Sequence, residues 1–346
     1  MTALLRRTRA DREAAEEALA AAATRSAKSR GRARSEPEDE LRTCFERDRD
    51  RILHSKAFRR LKHKTQVFID PEGDHYVTRL THALQVTQVA RALAAGLGLN
   101  ETLTEAIALG HDVGHSPFGH TGEEALEPYL PGGWHHAAQS VRIYEVLEDA
   151  NLTWEVRDGI RAHSWRIDPP PATPEAHLVR FADRIAYLSH DALDAVRAGL
   201  VRPGDFPAAV TARLGPPGPR WIGEMIHAIV DHAPSAGAVV MDPGLLAVMH
   251  ELRAYMFARV YGHDVVERRA AVTIIRRLVD HFLAHPQQLP DSYRDPSADV
   301  LTQVIDHVTG MTDRYAVATH DRLFGTPGGF TGTVRALPPP SSSSSA

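Results

Sequence analysis

The stretch ALGHDVGHSPFGHTGEEAL, Ala108 to Leu126, sets three histidines, one aspartate and two glutamates around glycines and Pro117. Neither helix nor strand is comfortable there, and such crowding points to a metal site with an acid/base pair beside it. A helix over 103–113, opened by a Thr102 to Glu105 capping box, places Leu103, Ile107 and Gly110/His111 on one core-facing stripe. His111 then points inward with Asp112 beside it. The His-Asp pair recurs at 190/191, 263/264 and 320/321, so the dipeptide alone selects nothing. Only the first copy continues as HSPFGHTGE, where Pro117 and the glycines bend the chain so that His120 and Glu123 turn back toward the helix end.

Further ligands must come from other helices. His82 shares a stripe with Val86, Val89 and Leu93, where an unpartnered imidazole would cost a few kcal/mol. Asp183, Tyr187 and Asp191 are spaced by four beside the apolar stripe of Leu178, Ala182, Ile185, Ser189 and Val196. Taken singly, these are equally a hydrogen-bonded core histidine and a solvated helix face. Together, His82, His111, Asp112 and Asp183 supply two nitrogens and two oxygens, a set for borderline or hard divalent ions. The lone cysteine, Cys44, excludes a thiolate cage and an internal disulfide, which fits a reducing cytosol, so the protein is expected to be cytoplasmic.

The elements that carry these residues follow from the rest of the chain. With 346 residues, 43% hydrophobic and a charge of −4, it can bury a large core and is neither a nucleic-acid coat nor an acidic tail. From Leu41 onward apolar residues recur at three and four positions, which predicts an all-α body. Breakers at PEGD (71–74), GLGLN (96–100), LPGG (130–133), DPPPATP (168–174), GPPGP (215–219) and HPQQLPDS (285–292) divide it into about ten helices. Residues 1–40 read as a charged, partly disordered arm, with a short helix over 10–23 and a mobile linker over 25–40. The body spans 41–333, with accessory helices over 220–325, and 334–346 is a disordered Pro/Ser tail. No stretch reaches the ~20 apolar residues of a membrane helix, and no phosphate-binding G-x-x-x-x-G-K occurs.

The H…HD…D pattern at His82, His111-Asp112 and Asp183 resembles the HD-domain metal-dependent phosphohydrolases. A narrower match, to the bacterial deoxyguanosinetriphosphate triphosphohydrolase family, covers most of 44–200. It is carried by FERDRDRILHSKAFRRLKHKTQVF, RLTHALQVTQVARALA, ALGHDVGHSPFGHTGEEAL, AAQSVRIYEVL and RFADRIAYLSHDALDA, in that order. The resemblance implies a multi-helix HD-domain fold and hydrolysis of deoxynucleoside triphosphates to deoxynucleoside and tripolyphosphate. It implies one divalent ion, Mn²⁺ or Mg²⁺ first, with Fe, Co, Ni or Zn also compatible, and a homo-oligomer, tetramer or hexamer. It further assigns proton transfer to His120 with Glu123, phosphate binding to Arg79, and deoxyribose recognition to Gln66, Tyr187 and Asp191.

The basic segment Arg47 to Lys64 is expected to meet the triphosphate as well. Where the family usually reads F-E-H-N-A-Q, this chain has Trp134-His135-His136-Ala137-Ala138-Gln139; His136 survives and is expected near the phosphates. Two alternatives share these residues: another HD-type nucleotide phosphohydrolase or phosphodiesterase, and a non-catalytic nucleotide sensor or single-stranded nucleic-acid binder. Binding of a nucleotide effector or of single-stranded nucleic acid as a second activity is compatible with the basic arm.

Overall fold

A computed structural model describes residues 4–67, 76–261 and 265–325; the PEGD break, the 263/264 His-Asp copy and the Pro/Ser tail lie outside them. Among the described residues the chain is all-α, with no strand beyond isolated bridges pairing Arg32 with Thr153 and Thr65 with Thr78. Helices are more numerous and shorter than the breakers predicted.

Capping residues explain the boundaries around the site. Thr43 opens α1 (Cys44–His54) and Thr78 opens α2 (Arg79–Leu97), each in a reciprocal box with the residue three positions on. Gly98 ends α2 in the left-handed region at φ 64°. Helix α3 is Glu101–Gly110, and its cap is not the predicted Thr102 box: Thr102 and Leu103 N–H both donate to the Asn100 side chain at 3.1 Å. Asparagine is the stronger cap and lies two residues earlier.

Next come α4 (His120–Leu126), α5 (His136–Arg142) and α6 (Trp154–Arg161), then α7 (Pro174–Arg197), which Pro174 and the Thr173 cap open. The C-terminal part contributes α8 (Pro243–Arg259), α9 (Val265–Ala284), α10 (Val300–Thr309) and α11 (Asp313–Phe324).

Two apolar clusters result. The larger packs Ile52 of α1, Val86, Val89 and Leu93 of α2, Leu103 and Ile107 of α3, Ile160 of α6, and Leu178 and Ile185 of α7. The smaller joins Ile274, Ile275, Leu278 and Phe282 of α9 to Val304 and Val308 of α10, and also takes Phe118, Ala125 and Leu126. Burying each such side chain stabilises by about 1.5–3 kcal/mol at most. The 111–126 segment therefore starts in one core and ends in the other.

Residues 25–40, expected as a mobile linker, are instead tied down. Ser29 Oγ–H and the Arg30 N–H donate to Glu155 at 2.7 and 2.6 Å, the Arg30 guanidinium lies 3.6 Å over the Trp154 ring, and Arg32 pairs with buried Asp48. No local periodicity announces this, because the ordering carboxylates lie far along the chain. The basic 47–64 segment is also largely spent internally: Arg47 and Arg51 pair with Glu36, Arg49 with Asp50, and Arg60 donates to the Tyr293 hydroxyl and the Gly310 carbonyl.

Candidate metal centre and proton-transfer site

Three helices aim their side chains at one point. Helix α2 brings Arg79 and His82, the end of α3 brings His111 and Asp112, and α7 brings Asp183. His82 Nε2 lies 3.1 Å from Asp183 Oδ1 and 3.9 Å from Asp112 Oδ2, while His111 Nε2 lies 3.4 Å from Asp112 Oδ1 and 3.9 Å from Asp183 Oδ1.

The His111 tautomer is fixed by its surroundings. A carbonyl can only accept, so Nδ1–H donates to the Ala108 oxygen at 2.6 Å and Nε2 keeps a bare lone pair. That Nε2 is fully buried and has no hydrogen-bond partner. Facing two carboxylates, it is an arrangement of lone pairs that a divalent cation completes, and anchoring of the other ring nitrogen on a carbonyl is what metal-bound imidazoles use. Buried His82 and His111 with half-buried Asp183 thus form a cluster able to hold a metal ion, with Asp112 beside it.

Electrostatics agree with ionised carboxylates. Burial opposes the charge of Asp112, but its surroundings, with the Arg79 guanidinium 2.6 Å away, outweigh it and hold its pKa well below the usual range. For Asp183 burial is likewise overcome, first by the His82 hydrogen bond. Arg79, expected to bind phosphate, is 2% exposed and directs two donors inward, Nη1 to Asp112 Oδ2 at 2.6 Å and Nε to the Thr65 carbonyl at 3.0 Å.

The turn after Asp112 is shaped by close backbone approach. Ser140 of α5 accepts from the Gly114 N–H at 2.9 Å and donates to the His111 carbonyl at 2.8 Å. A Cβ on Gly114 would collide with the His136 carbonyl and the Ser140 nitrogen, and one on Gly122 with the Pro117 carbonyl. Phe118 at φ 62° and Gly119 at φ 57° then reverse the chain into α4.

His120 opens α4 with its side chain 74% exposed, and its Nδ1–H donates to Glu123 Oε2 at 3.0 Å. Glu123 is also the acceptor for His136 Nδ1–H at 2.6 Å. Burial works against its charge, but His136, His120 and His115 hold its pKa far below the carboxylate range. One anchored carboxylate therefore orients two imidazoles, a buried one and an open one.

Two more histidines complete the cluster and were not singled out from the sequence. His115 stacks on His136 with ring centroids 3.8 Å apart, its Nε2 lies 3.6 Å from Asp112 Oδ1, and burial, then Arg79 and His136, pushes its pKa well down. His163 donates from Nδ1 to the Ile160 carbonyl at 2.8 Å, which leaves Nε2 to accept from His136 Nε2 at 3.1 Å. Its pKa is pushed down to about 3 by burial, then His111 and His136. His115 lay in plain sight in HSPFGH; His163 follows a helix end with no periodic signal. His135, at a position where the resemblance expected a glutamate, caps α5 by accepting the Ala137 N–H at 3.1 Å.

The remaining expected residues surround this centre less directly. The backbone of Gln66 passes beside Gly119, and its buried Oε1 has no partner. Tyr187 is half-buried against the main core, 6.5 Å from the Tyr261 ring, and the Tyr261 hydroxyl donates to Asp191 Oδ2 at 2.9 Å. Burial pushes Asp191 well above the carboxylate range. Next to Asp183 and Tyr187 lies a cationic row that sequence reasoning missed, Arg180 and Arg184 on α7 and Arg253 on α8. None of the three forms an ion pair among the described residues, and each Nε is buried without a partner. Burial lowers the pKa of Arg180 and Arg184, whose guanidinium groups lie 4.9 and 4.4 Å from the Trp165 ring centre. No described helix is long and apolar enough to cross a membrane.

Residues 79–188 match the HD domain and 239–322 the phosphohydrolase-associated domain. A deoxyguanosinetriphosphate triphosphohydrolase-like protein of Caldanaerobacter subterraneus is 45% identical over 311 residues, covering 87% of this chain and 91% of its own. Proteins of the same description from Desulfatibacillum aliphaticivorans and Clostridium perfringens are 42% and 41% identical, covering 86% and 85% of this chain and 92% and 90% of their own.

Proposed function

Because the chain belongs to the HD-domain family of deoxyguanosinetriphosphate triphosphohydrolase-like proteins, a phosphohydrolase family, we propose that it hydrolyses deoxynucleoside triphosphates at the α-phosphorus, releasing deoxynucleoside and tripolyphosphate. The observation that carries this reading is the juxtaposition of the bare, buried His111 Nε2 facing two carboxylates with the exposed, Glu123-held His120.

A divalent ion, Mn²⁺ or Mg²⁺ first, held by His82, His111, Asp112 and Asp183, would supply Lewis acidity toward a phosphate oxygen. The chain's own groups account for the rest. With Nδ1–H fixed on Glu123, His120 exchanges a proton at its outward Nε2, with the departing 5′-oxygen or with water, a contribution of about 10²–10⁴ in rate. His115 and His136 line the approach to Asp112. The unpaired Arg184 and Arg253 neutralise the outer phosphates, while Arg79 holds Asp112 in place. Gln66, with its unsatisfied Oε1, and Asp191 address the 3′-hydroxyl, and Tyr187 closes the sugar face that lacks a 2′-hydroxyl. A symmetric assembly of several copies belongs to the same reading, and light scattering on the purified protein tests it.

The deciding experiment incubates the protein with each of the four dNTPs and with GTP, in Mn²⁺ and in Mg²⁺, and separates the phosphorus products. Tripolyphosphate with free deoxynucleoside is expected. Release of phosphate or pyrophosphate, or no turnover even in dNTP mixtures, overturns the reading.

A further inference from the structure

Behind the 115–119 turn the C-terminal helices reach the same backbone. Lys64 is 3% exposed, and its Nζ donates to the carbonyls of His115 and Thr309, the latter at 3.0 Å. The next residue, Thr65, donates its N–H to Asp313 Oδ2 at 2.8 Å and its hydroxyl to the same oxygen. The other oxygen, Oδ1, accepts the Phe118 N–H at 3.0 Å.

Asp313 is the first residue of α11, but it is not spent on that helix, because the preceding Thr312 side chain does the capping. Its carboxylate instead faces segments 195 and 248 residues away, and all three of these donors come from them. The residue it grips, Phe118, has φ 62°, a conformation that a bulky side chain leaves unless held. One more tie runs from the C-terminal helices to α5: Asp306 of α10 accepts from Gln139 at 2.8 Å and from Arg142 by two nitrogens, fixing the helix that carries His136.

We propose that Lys64 and Asp313 are positioning residues, through which the C-terminal phosphohydrolase-associated region locks the 115–119 turn and so presents His115, His120 and Glu123 to the substrate. Lys64 fixes the turn at the His115 carbonyl and Asp313 at the Phe118 amide, so between them the path from Asp112 to His120 has two anchored points. Neither touches substrate. The accessory helices are then part of the geometry of catalysis and not only a cover for it.

The activity readout rests on the hydrolase reading above, so the test includes two that need no substrate. Asp313→Asn keeps the side-chain shape but turns an amide N–H₂ toward N–H or O–H donors. Amide hydrogen exchange across 113–119 should accelerate at least tenfold while α2 and α7 exchange as in the wild type, and Mn²⁺ affinity by calorimetry should stay within threefold. With dNTP, kcat should fall about 10–100-fold with KM little changed, the scale of a small misplacement of reacting groups. Should Asp313→Asn fail to fold, Thr65→Val, which removes only the hydroxyl donor, should give the same local exchange pattern at smaller amplitude.

Wild-type exchange at 113–119 and wild-type kcat in the variant would overturn the proposal. So would acceleration spread evenly over the chain, which means general destabilisation. If the wild type itself fails to hydrolyse dNTPs, the function reading falls, and the exchange and metal data still decide the role of Asp313.

Discussion

At the scale of single residues, the site is organised by acceptors that fix which imidazole nitrogen is bare. The Ala108 carbonyl does this for His111, and Glu123 does it for His120. Replacing His111 and Asp112 together with alanine should abolish Mn²⁺ binding and turnover; calorimetry showing an unchanged ion affinity would remove the assigned centre. Arg79 bridges Asp112 to the Thr65 carbonyl, and lysine has no second arm with which to do both. Arg79→Lys should therefore weaken Mn²⁺ affinity by about 10–100-fold, as loss of an outer partner does elsewhere, and an unaltered titration would show that Asp112 needs no such support. Glu123→Gln leaves the metal cluster untouched but loses the charge that holds two histidines. We expect kcat down by at least about 10² with the ion still bound, measured by single-turnover hydrolysis beside metal analysis.

At the scale of elements, what matters is how closely two backbones can approach. Helix α5 lies against the 112–119 turn at Gly114, where the Ser140 hydroxyl replaces a side-chain spacer. Gly114→Ala forces α5 outward, and His136 travels with it. Overpacking of this kind costs about 1–3 kcal/mol, so the urea midpoint should fall with an unchanged slope, and activity should fall further than stability alone explains. Equal midpoints for variant and wild type would mean that α5 can shift freely. The same close packing explains why the turn could be placed from the sequence but not its partner: glycines mark where something must come near, and not what comes.

At the scale of the whole molecule, the two cores meet across polar seams, and buried neutral histidines make the fold sensitive to acid. His307 of α10 is 5% exposed, among Phe282 and Tyr293, and its pKa is pushed down to about 4 by burial and then Arg60. Between pH 6.5 and about 4 the unfolded chain binds a proton there that the native state does not. Its stabilisation is therefore complete above pH 6.5 and is lost as pH falls toward 4, by on the order of 3 kcal/mol. Chemical denaturation in the presence of a chelator should show this slope, and His307→Leu should flatten it. A slope unchanged in His307→Leu would assign the acid sensitivity to other groups.

The sequence by itself determined the helical class, because apolar spacing of three and four is a local property, and it singled out His82 and His111 at core-facing registers, with Asp112 beside His111 and Asp183 beside an apolar stripe. It could also place His120 and Glu123 together, three residues apart on one turn. Tertiary structure alone decided the rest. His163 reaches the cluster only because α6 ends beside α5, and Arg184 and Arg253 come within each other's electrostatic reach from two separate helices, α7 and α8. The arm at 25–40 is ordered by Glu155 and Asp48, and Asp313 reaches the 115–119 turn from the far end of the chain. These are contacts between segments whose separation in sequence carries no period, so only the packing of the two cores brings them into range.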